Sequence, residues 1–113
     1  MNYWPVIGDA TPVKRISLPS GQHTAVLLDH IESTGAVKYR YILAVFDNQR
    51  REPCLFVSSE VNRMAKRFGG GSHFLGLFTE HGHMNHVDSD DWADIEKFEK
   101  AAVEFAAGHL SRG

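Results

Sequence analysis

The last quarter of the chain constrains the fold most, because it holds a strand pair, a turn, a helix cap and an amphipathic helix in unbroken order. Residues 74–88 surround a turn at residues 80–83, which predicts a β-hairpin. Ser89 has the side chain of a helix N-cap, and apolar residues then recur at helical spacing to about residue 108. The recurring positions are Trp92, Ile95, Phe98, Ala102, Phe105 and Ala106. A β-rich N-terminal part closed by one C-terminal helix is therefore predicted.

A second hairpin is predicted from residues 23–33 and 36–46, which flank a turn containing Gly35. If the loop has only two residues, Asp29 lies opposite Arg40, and the two form a favourable cross-strand charge pair. This register places six apolar residues on the core face: Val26, Leu28, Tyr39, Tyr41, Leu43 and Val45.

The same two strands lose their alternation near Leu27, Leu28, Ile42 and Ala44, where both faces become apolar. A sheet with one solvated face alternates cleanly between apolar and polar residues. We therefore expect the outer face to be covered as well, either by another element or by a second subunit.

These patterns predict an α+β fold in which an antiparallel meander sheet of about five to seven strands packs against one long C-terminal helix. A partly closed barrel capped by that helix is the alternative closure of the sheet. A short helix or helical turn is predicted over residues 60–68, ended by the glycines at 69–71. Residues 1–113 are expected to form a single domain, since the length suits one hydrophobic core.

Composition narrows the class of protein. No stretch approaches the roughly 20 apolar residues of a membrane span, and the N-terminus lacks the pattern of a signal peptide, so a cytoplasmic protein with no membrane partner is expected. The net charge of −2 does not favour nucleic-acid binding. The single cysteine, Cys54, excludes an internal disulfide and a zinc site built from cysteines.

One candidate site is a phosphate or small-anion site at residues 63–71. The cations Arg63, Lys66 and Arg67 precede Gly69, Gly70 and Gly71, whose backbone N–H groups could surround a phosphate. The spacing matches neither a Walker A loop nor a dinucleotide-binding fingerprint. The structural alternative is a flexible connection between a helical turn and the next strand.

The other candidate is a metal site at His81, His83 and His86, because neutral imidazole is a good ligand for Zn²⁺, Ni²⁺ or Cu²⁺. Gly82 indicates a turn that would separate His81 from His83, and no helical H-E-x-x-H motif accompanies them. The structural alternative is a polar, solvated hairpin tip.

No residue pattern indicates catalysis, and no cofactor is predicted. The leading hypothesis is a non-catalytic interaction or accessory module that binds a protein partner, or associates with itself, through the apolar part of the sheet. The anion-binding domain and the histidine-rich metal protein are the alternatives, and a small ligand is compatible with all three.

Overall fold

The computed structural model describes residues 4–112. Six strands form one antiparallel sheet in the order β1-β2-β3-β4-β5-β6. The strands are β1 (Thr11–Ser17), β2 (His23–Asp29), β3 (Tyr39–Asp47), β4 (Glu52–Val61), β5 (His73–Thr79) and β6 (Gly82–Ser89). The helices are α1 (Ala65–Phe68) and α2 (Ile95–Arg112), and a 3₁₀ turn (Asp90–Ala93) precedes α2.

The predicted α+β meander with a C-terminal helix is confirmed, and the alternative of a partly closed barrel is wrong. β1 and β6 are the two edges of the sheet, and each pairs with one neighbour only within residues 4–112. Neither described helix is long and apolar enough to span a bilayer.

The predicted C-terminal helix starts later than its predicted cap. The Ser89 hydroxyl accepts a hydrogen bond from the Asp91 N–H at 3.0 Å and caps the 3₁₀ turn. The Asp94 carboxylate then accepts from the N–H groups of Glu96 and Lys97 at 3.0 and 3.1 Å, which supplies the cap of α2. A second capping residue thus allows the chain to change direction before the long helix begins.

The apolar stripe of α2 packs on one face of the sheet, hereafter the helix face. Phe98, Ala102 and Ala106 are fully buried there, and the Phe98 ring stacks on Tyr41 with centroids 5.6 Å apart. The sheet side of this core includes Leu43, Val45, Leu55, Val57 and Leu77. The predicted stripe is therefore confirmed as the contact that closes the domain.

The predicted two-residue hairpin loop is wrong. β2 ends at Asp29 and β3 begins at Tyr39, so residues 30–38 form a long connection. The observed pairing sets Leu28 opposite Ile42, one residue away from the predicted register. A one-residue shift exchanges the faces of a strand, which moves Val26 and Leu28 away from the helix.

The Asp29 carboxylate and the Arg40 guanidinium still lie 3.4 Å apart, as predicted. An irregularity between Tyr39 and Tyr41 turns their rings to opposite faces, whereas the sequence placed both in one core.

Of the short helix or helical turn predicted over residues 60–68, only Ala65–Phe68 is helical, and the prediction started it too early. β4 continues through Glu60 to Val61, and α1 is a single turn without a buried residue. Backbone pairing accounts for the extension of β4, because Glu60 pairs with both β3 and β5. Val61 pairs with β5, and its N–H donates to the Lys38 carbonyl at 2.8 Å.

Around Tyr39, Ile42 and Phe78 the outer face of the sheet is covered by the chain itself. Trp4 and Ile7 from the N-terminal segment and Ile31 and Val37 from the long connection pack against Tyr39, Ile42 and Phe78. Trp4 meets Phe56 edge-on, with ring centroids 5.0 Å apart. The loss of alternation near Ile42 therefore has an intramolecular cause, the first of the two explanations that the sequence allowed.

Candidate functional site

A buried polar cluster lies on the outer face, where β4 turns Ser58 and Glu60 away from the helix. The Glu60 side chain is only 4% exposed. Its Oε2 accepts a hydrogen bond from the Ser58 hydroxyl at 2.6 Å and lies 2.7 Å from His83 Nε2. The His83 ring in turn stacks on Phe78 at 4.0 Å, with 3° between the planes. Burial of a carboxylate is tolerated here because it is paired and hydrogen-bonded.

Gly76 makes space for this cluster. It lies opposite Ser58 on β5, and a Cβ atom there would be 2.5 Å from Ser58 Oγ and would overlap Glu60 Oε2. A glycine inside an apolar strand is a signal of such a close approach. That glycine is the one available sign of the cluster in the sequence. None of Gly76, Ser58 and Glu60 was predicted as part of a site.

The cluster lacks the geometry of a nucleophile with its base. Ser58 and His83 both bond to the same carboxylate oxygen, so the histidine does not accept the serine proton. Burial and the nearby Glu60 carboxylate raise the pKa of Tyr39 to about 12, which keeps that phenol neutral. Every buried side-chain N or O atom in the described chain has a partner, so the cluster acts as a satisfied structural network.

The three histidines of the metal hypothesis lie in different surroundings. His81 is exposed in the hairpin turn beside Glu80, at 3.5 Å. His83 faces the outer side and His86 the helix side, where its ring meets Phe105 edge-on at 4.6 Å. Between residues 4 and 112 no group of three or more His, Cys, Asp or Glu side chains could hold a metal ion. A native metal site stays a prediction.

The cations of the anion hypothesis lie on and beside α1, a surface projection. The Arg63 guanidinium donates to the Ala36 carbonyl, and the Arg67 guanidinium lies 5.5 Å from the centre of the Phe68 ring. Phe68 is 71% exposed, and Lys66 is exposed on the same turn. The projection therefore combines positive charge with an exposed aromatic ring.

The glycine loop beside it already binds anions of its own chain. The Gly71 N–H donates to the Asp88 carboxylate, and the Ser72 N–H donates to Asp90 Oδ1 at 2.7 Å. Gly69 donates to the Ala65 carbonyl at 2.9 Å. These internal acceptors occupy donors that a phosphate would need, and an external anion at residues 63–71 stays a prediction.

The two edges of the sheet differ in a way that bears on association. β1 carries Pro12, Lys14 and Arg15 and has a register shift after Pro12, all of which are features that discourage pairing with another strand. β6 has no proline, lysine or arginine, and Met84 at its centre is 58% exposed. β1 is therefore a protected edge, whereas β6 is unprotected over residues 82–86, before its own register shift.

The C-terminal end of β6 is not free to pair with another strand, whereas the rest of the strand is. Its register shift lies between Asn85 and Asp88, and the Val87 carbonyl accepts a hydrogen bond from Trp92 Nε1 at 3.1 Å. In the described chain, residues 82–86 form no backbone hydrogen bond with any element other than β5. A strand of five residues with a free side is left.

The flank of α2 continues this surface on the helix side. Phe105, half-buried beneath His86, lies between Ala101 and Gly108, and with Glu104 and His109 they line a groove of about 380 Å³. Small residues on either side of an aromatic ring allow another helix to approach closely. We call residues 82–86 together with this flank the β6 surface.

Comparisons with protein-family models, curated proteins and solved structures find no match for this chain.

Proposed function

We propose that the protein is a non-catalytic interaction module that works as a homodimer, with the β6 surface as its interface. The observation that carries the proposal is the contrast between a protected β1 edge and an unprotected β6 edge. Antiparallel pairing of β6 with β6 of a second copy would extend the sheet across a two-fold axis. Natural proteins rarely leave an unprotected edge strand open to solvent.

A second copy suits this surface better than an unrelated strand. The two-fold axis of an antiparallel strand pair is perpendicular to the sheet, so equivalent faces of the two copies lie on the same side. Both α2 helices would therefore pack on one side of the extended sheet. The Phe105 flanks would then meet, and Met84 would lose its exposure to water. Burial of apolar area on the strand and the helix together would stabilise the pair. We also propose, as expected from the sequence, that the protein is cytoplasmic.

The decisive experiment compares one lysine on each edge. Met84→Lys places a charge on β6, and Val13→Lys is the matched control on β1, where the valine is 51% exposed. Sedimentation velocity across the micromolar to millimolar range should show a dimer for the wild type and for Val13→Lys, and a monomer for Met84→Lys. A wild type that stays monomeric throughout, or two variants that dissociate equally, would contradict the proposal.

Amide hydrogen exchange gives an independent measurement on the unaltered chain. The amides of residues 82–86 that point away from β5 should become protected as the protein concentration rises, and those of β1 should not. Protection that is independent of concentration would point to a contact within one chain and would exclude the homodimer.

A further inference from the structure

Part of the outer face is left uncovered by the segments that pack on the rest of it. Val26 and Phe46 are half-buried there, beyond the area covered by Trp4 and Ile7. Both line a groove of about 460 Å³, a volume that suits a small organic ligand. This groove lies at the β1–β2–β3 end of the sheet, away from β6, so it is independent of the proposed interface.

Two guanidinium groups line the same groove from different elements. Arg15 lies opposite Val26 on β1, and Arg51 ends the turn between β3 and β4. Among residues 4–112 neither side chain forms an ion pair or a hydrogen bond. One carboxylate, that of Asp47, lines the groove. It accepts hydrogen bonds from the N–H groups of Arg50 and Gln49 at 3.2 and 2.9 Å, and these bonds lower its pKa.

The turn holds Arg51 in a conformation that favours glycine. Its φ is +57°, and its N–H donates to the Asp47 carbonyl at 2.7 Å. The turn is tied to β2 by a hydrogen bond from the Thr24 hydroxyl to Asn48 Oδ1, also at 2.7 Å. A left-handed backbone is strained for an arginine, and such strain is often kept where a side chain must be positioned for function.

From this arrangement we infer a binding site for a small organic anion with a flat apolar body, such as an aryl phosphate or aryl carboxylate. Arg15 and Arg51 would bind the anionic group, since guanidinium donates paired hydrogen bonds to phosphate and carboxylate oxygens. The apolar body would lie on Val26 and Phe46, where it removes apolar surface from water.

Phenyl phosphate is the first probe. Its binding to the wild-type chain is measured by chemical-shift titration. The amide signals of Val26, Phe46 and Asn48 should shift together and saturate. Inorganic phosphate carries only the anionic group, and benzyl alcohol carries only the apolar ring. Each should bind at least about tenfold more weakly than phenyl phosphate. Equal binding of either fragment would overturn the inference, because it requires both the charge and the apolar contact.

Substitutions then assign the site. Arg15→Gln and Arg51→Gln should each weaken phenyl phosphate binding about tenfold. Arg50→Gln is the matched control, since Arg50 is exposed in the same turn but lines a different groove. The spectra report at once whether each variant is folded. Unchanged affinity in both groove variants, or an equal loss in Arg50→Gln, would overturn the assignment.

Discussion

The two faces of the sheet are covered by different means. The helix face is closed by α2, a regular element whose apolar stripe buries Phe98 and two alanines completely. The outer face is closed by irregular segments, with Trp4 and Ile31 as contributors, and it contains a buried carboxylate. A helix satisfies its own backbone hydrogen bonds and so can offer a purely apolar surface. Irregular segments leave gaps, and here polar side chains occupy the space between β4 and β6.

The two faces should therefore respond differently to substitution. The helix face should tolerate conservative apolar changes and suffer from cavities, as packed cores do. The outer face should depend on a few contacts of fixed geometry around Glu60, since a half-satisfied polar network is more costly than an apolar core. Four measurements test that division.

The largest effect is expected from Phe98→Ala on the helix face. Removal of a fully buried ring leaves a cavity and should lower the free energy of unfolding by about 3–5 kcal/mol. Phe105→Ala, on the same helix but half-buried, should cost clearly less. Urea denaturation of both variants measures the difference, and equal losses would contradict the central place of Phe98 in the core.

Gly76→Ala tests the outer face at its tightest point. The new methyl group would force Glu60 and Ser58 apart, which breaks buried hydrogen bonds and should cost about 2–3 kcal/mol. Gly108→Ala is the control of opposite sign: nothing lies within 4 Å of a Cβ atom there, and alanine in α2 should add about 0.5–1 kcal/mol. A neutral Gly76→Ala would mean that the polar cluster adjusts freely.

Alkaline pH should weaken the outer face through Tyr39. Because its pKa is raised from 10.0 to about 12, the folded state favours the neutral phenol. That contribution is complete below pH 10 and is lost as the pH rises through 12, at most about 3 kcal/mol in all. Ultraviolet titration of phenolate should show a late step that Tyr39→Phe removes. A late step that survives this substitution would place the raised pKa on another tyrosine.

The smallest effect is expected from Trp4→Ala. The ring is half-buried and contacts Phe56 edge-on, so its loss should cost about 1–2 kcal/mol and leave the helix face intact. Chemical denaturation gives the loss in stability, and the near-ultraviolet signal reports on the packing around Phe56. A cost equal to that of Phe98→Ala would show that the two faces contribute alike.

Much of the helix face was predictable, because period and capping are local properties. The spacing of Phe98, Ala102 and Ala106 marks the buried stripe without knowledge of its partner. The register of β2 and β3 was not predictable in the same way. Gly35 favours a tight turn, but the connection of residues 30–38 is retained because Ile31 and Val37 cover the outer face. A tertiary contact overrode the local turn preference.

The candidate sites show the same limit more sharply. His83 and His86 are three residues apart in sequence, yet one bonds to Glu60 and the other contacts Phe105 on the opposite side of the sheet. The glycines beside α1 resemble an anion-binding loop until Asp88 is seen to occupy it. In both cases a residue distant in sequence decides the role of the motif.

The class of fold, the order of its strands and the buried side of α2 follow from periodicity and turn chemistry along the chain. The residues that meet across strands are known only from the folded chain: the pairing of Glu60 with His83, the close approach at Gly76, and the contrast between a protected and an open edge. The physical reason is that side-chain period is local, whereas register and coverage depend on contacts between segments far apart in the chain.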